Sequence, residues 1–78
     1  MPPGTREVRH FHMNARQFFF VLEGELTLEV EHHNFIVLVG EGIEIPPGQQ
    51  HQAMNRSAYP VRMLVIGQPP SHGDRINA

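Results

Sequence analysis

The stretch RHFHMNARQ, residues 9–17, carries two histidines two positions apart and a glutamine five positions after the second. Side chains alternate along an extended chain, so His10 and His12 leave the same face if this segment is a strand. A third histidine, His51, follows the turn-like sequence IPPGQQ. Three imidazoles with the amide oxygen of Gln17 form a donor set suited to one divalent transition metal per chain. Zn, Ni, Mn, Fe and Cu all remain open, because affinity order and availability decide the ion as much as ligand type does. His32, His33 and His72 sit in turn or tail sequence and are assigned no role in the site.

Such residues need strands to hold them, and the hydrophobic pattern supplies strands. ELTLEVE at 25–31 alternates strictly, with Leu26, Leu28 and Val30 on one face and Thr27, Glu29 and Glu31 on the other. EHHN at 31–34 is a polar break before FIVLV at 35–39 and reads as a hairpin connection. Further strands are expected at 5–12, 17–23, 43–45 and 61–66, which are rich in β-branched or aromatic residues and bounded by Gly, Pro or Asn. The proline-rich segments at 2–4, 46–48 and 68–73 read as turns. No segment shows a helical period, so the expectation is an all-β antiparallel sandwich or barrel of about six strands. The stretch 1–5 is expected to fray or to pair with a partner chain.

The chain has 78 residues, no cysteine and a net charge of −2 from six arginines and eight carboxylates. One domain, residues 1–78, is all that this length accommodates, and its core is marginal unless a metal or a partner supports it. Without cysteine, disulfides, thiolate ligands and thiol nucleophiles are excluded. The scattered charges do not suit a nucleic-acid backbone. The apolar runs are far shorter than the roughly 20 residues of a membrane-spanning helix, and a cytoplasmic protein is expected. In QFFFVLEG, placing Gln17, Phe19 and Val21 inward forces Phe18, Phe20 and Leu22 outward. That exposed row suggests a homodimer, since a symmetric pair is the commonest way to cover one.

Gly4, His10, His12, Gln17 and Gly24 fit the spacing G-x-x-x-x-x-H-x-H-x-x-x-x-Q-x-x-x-x-x-x-G, which resembles the first cupin motif. The second motif, G-x-x-x-x-x-P-x-G-x-x-H-x-x-x-N, is matched by Gly40, Pro46, Gly48, His51 and Asn55. The resemblance implies a small double-stranded β-helix, the cupin jelly roll, apparently lacking the usual N-terminal strands. It also implies that His10, His12, Gln17 and His51 bind the metal inside the barrel mouth. Gln17 stands where the family usually has Glu; its neutral oxygen leaves a bound metal one unit more positive and a stronger Lewis acid. Asn55 reads as a turn cap rather than a ligand.

The 2-His-1-carboxylate set of non-haem iron oxygenases is absent, so a cupin dioxygenase ranks below carbonyl or enol chemistry. The resemblance favours isomerisation, ring opening or cyclisation of a small organic substrate such as a sugar acid. A small-molecule-binding cupin without catalysis and a metal-stapled structural domain remain open, because no general base presents itself. Val8, Phe19, Leu28 and Val65 are expected to line an apolar pocket. Arg62 could meet a carboxylate substrate if its strand alternation turns it inward.

Overall fold

The computed structural model describes residues 1–69 and 73–78. His72 therefore lies outside the described residues. Eight strands run through them: β1 (His10–His12), β2 (Arg16–Glu23), β3 (Leu26–Val30), β4 (His33–Val37), β5 (Gly42–Ile45), β6 (His51–Met54), β7 (Arg62–Gln68) and β8 (Arg75–Asn77). No helix occurs among the described residues.

All pairings are antiparallel, in a five-stranded sheet of order β4-β3-β6-β1-β8 and a three-stranded sheet of order β5-β2-β7. The sheets enclose a core in which Phe19 and Val21 of β2 meet Leu26 and Leu28 of β3, with Ile45 from β5. Alternation in β2 sorts the faces as its sequence requires. Gln17, Phe19 and Val21 are buried, whereas Phe18 and Leu22 point outward at 38% and 40% exposure.

Several sequence expectations change in detail. β6, HQAM, lacks β-branched residues and so carries no strand signal, yet it lies between β3 and β1 and pairs with both. β8 is three residues long and likewise invisible to pattern. The strand expected at 5–12 shrinks to His10–His12, with an isolated bridge from Arg6 to Met54 before it. The hairpin at 31–34 is tighter than EHHN suggests: Glu31 and His32 alone form the turn, with φ of 48° and 67°, and Val30 pairs directly with His33. Two consecutive positive φ values match the two-residue hairpin turns whose twist suits flanking strands.

The N-terminal residues do not fray. The Met1 amino group donates to Val61 O at 2.8 Å, Val61 N donates to Met1 O at 3.0 Å, and Gly4 N donates to Asn55 O at 2.8 Å. Asn55 caps its turn as expected: it is 1% exposed, donates to Met1 O and Tyr59 O, and accepts from Ser57. One expected pocket-lining residue is corrected. Val8 precedes β1 and is 55% exposed. Val65 is paired with Phe19, so it shares the inner face of the edge strand β7, where it is 45% exposed.

Candidate metal centre

Three strands bring the site together, each for a local reason. β1 displays His10 and His12 on one face because they are two residues apart, and both are buried. His10 pairs with His51 across the β1–β6 ladder, which places the third imidazole beside the first. Gln17 enters from the opposite sheet, one turn after β1. At its start the PPGQQ turn holds Gly48 at φ 82° and ties Gly48 N to His12 O at 2.8 Å. A left-handed residue there costs glycine little and other residues more.

The donor atoms of His10, His12 and His51 all lie within 4.8 Å of one another. Ring centroids are 4.4 Å apart for His10–His51 and 5.2 Å for His10–His12. Backbone carbonyls orient two of the rings: His10 Nδ1 lies 2.7 Å from Val8 O and His51 Nδ1 lies 3.1 Å from Gln49 O. A carbonyl can only accept, so each Nδ1 carries the proton and each Nε2 keeps its lone pair for another partner.

Two features then ask for a cation. His12 has both ring nitrogens buried and, among the described residues, without a hydrogen-bond partner, a costly state for a polar group unless something else is bound. His51 Nε2 lies 3.0 Å from Gln17 Oε1. With the His51 proton on Nδ1, these two atoms are both acceptors and repel unless the Gln17 amide turns over or a positive ion sits between them. Zinc lies about 2.0–2.1 Å from a histidine nitrogen and about 2.0–2.2 Å from a carboxylate oxygen, so neighbouring ligands of one ion stand near 3 Å. The residues present therefore fit a divalent metal.

Electrostatics point the same way. Burial, and next the repulsion a protonated His12 would meet from a protonated His10 beside it, hold His12 below the ordinary histidine range. Burial likewise holds His51 down, against the raising effect of its bond to Gln49. Neutral rings are the form that ligates. Next to them, Asp74 accepts from Asn14 N at 2.9 Å and Ala15 N at 2.8 Å, which fixes the turn between His12 and Gln17.

A pH dependence follows, with a determined sign. Well above pH 6.5 His12 and His51 are neutral in both folded and unfolded protein. As pH falls below that value the unfolded chain takes up protons first, because the folded pKa values are lowered, and the stability of the metal-free protein is lost. Urea midpoints of metal-free protein between about pH 8 and pH 5 should hold steady and then decline. A midpoint that rises on acidification would show that the rings are not buried neutral.

A family model described as the cupin domain matches residues 1–67. The chain is a cupin. It is 30% identical over 64 residues to the polyketide synthase CurC of Streptomyces cyaneus, covering 82% of this chain and 42% of that protein. Among solved structures it resembles a sugar phosphate isomerase of the cupin superfamily from Silicibacter pomeroyi, at 33% identity and a TM-score of 0.79, over 86% of this chain and 45% of that one. An uncharacterised protein with a double-stranded β-helix domain from Klebsiella pneumoniae matches with a TM-score of 0.87 at 23% identity, over 99% of this cupin and 67% of that chain. The cupin thus spans less than half the length of CurC and of the isomerase.

The structure brings His10, His12, Gln17 and His51 together as the two motifs imply. Arg62 does not join them. It shares the outer face of β7 with Leu64 and Ile66 and reaches Glu23 at 3.4 Å. The arginine that sequence reasoning missed is Arg75, paired with His12 across β1–β8. Its strand is too short to show a pattern, and only the register reveals its face.

Proposed function

We propose that this cupin binds one divalent transition metal through His10, His12, His51 and the amide oxygen of Gln17, and acts on a small organic substrate by carbonyl or enol chemistry. The observation that carries the reading is the buried His12 ring, without partners among the described residues, beside the facing lone pairs of His51 and Gln17. A bound metal would supply Lewis acidity, polarising a carbonyl or enol oxygen and stabilising negative charge that develops there. Val8 O and Gln49 O orient two of the imidazoles, and Phe19, packed edge-on to His51 at 6.0 Å, shields them from water on the core side. The likeness to a sugar phosphate isomerase and to a polyketide synthase protein favours isomerisation, ring opening or cyclisation over oxygen chemistry.

The test is proton exchange in deuterated water, followed by NMR, on sugar acids and other small 2-oxo and 2-hydroxy acids with metal-loaded and metal-free protein. Metal-dependent exchange at carbon next to the carbonyl, slowed in Gln17→Glu protein that still holds its metal, is expected. Absence of exchange together with global unfolding on metal removal would instead make the ion a structural staple.

The reading includes a second copy of the chain as cover for the outer face of the three-stranded sheet, where Phe18 and Leu22 are joined by Leu64 and Ile66 at 50% and 57% exposure. Sedimentation as a monomer at micromolar concentration would sink this part of the reading.

A further inference from the structure

Six arginines occur in the chain, and four of them, Arg9, Arg16, Arg62 and Arg75, lie on or next to paired strands that fix the face each occupies. Arg9 is held on the outer face of the five-stranded sheet by Glu29, its Nε donating to Oε1 at 2.6 Å. Arg16 and Arg62 lie on the outer face of the three-stranded sheet, where they meet Gln68 and Glu23. Arg75 differs. Directly paired residues of antiparallel strands project to the same side, and the β1–β8 register sets Arg75 opposite His12 and Asn77 opposite His10. Arg75 therefore stands on the histidine face, one strand away from two of the three imidazoles, where β8 forms the edge of the sheet.

A shared acceptor locates its guanidinium. Val8 O lies 2.7 Å from His10 Nδ1 and also 3.4 Å from Arg75 Nη2. Arg75 thus lies along the rim of the metal cluster and is exposed to solvent. Its one hydrogen bond among the described residues is long, and no carboxylate pairs with it there. Asp74, the adjacent residue, has its carboxylate committed to Asn14 and Ala15. An unpaired guanidinium on the metal face exchanges a long bond to a neutral carbonyl for short charge-assisted bonds when a carboxylate arrives.

We propose that Arg75 is the substrate-anchoring group of this site and that it selects a small carboxylate, gripping the acid end while the rest of the molecule reaches the histidines. A carboxylate is preferred to a phosphate dianion because a single guanidinium faces the ligand and the negative charge of Asp74 lies next to it. The inference rests on the metal-binding reading above and adds the substrate class to it.

The experiment uses Co(II) as the metal, whose visible spectrum reports ligation, and short hydroxamic acids as probes of the cobalt. One series ends in a carboxylate and its counterpart in the neutral amide. The wild-type protein should bind the carboxylate series about tenfold or more tightly over the amide series, the effect of one charge-assisted bond. Arg75→Gln should erase that preference, Arg75→Lys should keep part of it, and both variants should hold Co(II) as the wild type does. Retention of the preference in Arg75→Gln overturns the proposal alone. So does loss of Co(II) affinity in Arg75→Gln, since Arg75 would then be serving Val8 and His10 rather than a ligand. A wild-type protein that takes up no Co(II) overturns the proposal together with the reading beneath it.

Discussion

Saturating metal should raise the melting temperature of the metal-free protein by about 15–30 °C, and His51→Ala should show almost none of that gain. An ion that binds only the folded chain stabilises it by about 4 kcal/mol at a concentration a thousand times its dissociation constant. In a domain of 60–100 residues each kcal/mol moves the midpoint by roughly 4–8 °C. The buried cluster gives reason to expect strong preference for the folded state, because His10, His12 and His51 approach one another only through the β1–β6 pairing and the turn before β6. His51→Ala deletes one of three imidazoles and the partner of Gln17 Oε1. Loss of even an outer partner of a metal ligand typically costs 10–100-fold in affinity, and a ligand itself should cost more. Thermal scans of both proteins with and without Zn(II), together with metal analysis, decide the matter. Equal gains in the two proteins would place the ion elsewhere.

The same residues show how far the sequence reaches. His10, His12, Gln17 and His51 were legible because each belongs to a spacing, and because Gly48 and the prolines announce the turn that aims His51. β3 was legible from its alternation and β2 from its aromatic and β-branched residues, although Thr27 on the second face of β3 turns out buried as well. β6 and β8 were not, since HQAM and RIN owe their extended form to neighbours that pair with them rather than to their own side chains. The role of Met1 was hidden for a related reason: its bonds to Val61 span almost the whole chain, and no local pattern encodes a contact of that range. Arg62 and Arg75 make the sharpest contrast. Alternation within β7 left the side of Arg62 undecided until the register with β2 turned it outward, while Arg75 acquires its place only by pairing with His12.

Phe19→Ala should leave the metal-free protein unfolded and the metal-loaded protein folded. The ring is 1% exposed and packs against the core of both sheets as well as edge-on to His51 at 6.0 Å. Truncating a buried phenylalanine costs about 3–5 kcal/mol. A core of this size rarely supplies more than roughly 3–5 kcal/mol in total, so the substitution consumes the whole margin. Metal at high excess returns about 4 kcal/mol, which is enough to tip the balance back. Val8→Ala provides the contrast: Val8 is 55% exposed, and a surface change of that kind stays within about 0.5 kcal/mol. Circular dichroism during urea titration, with and without Zn(II), reads both variants. A cooperative transition at the wild-type midpoint in metal-free Phe19→Ala would mean that the core does not depend on this ring, and that the histidines are held by the backbone ladder of β1 and β6 alone.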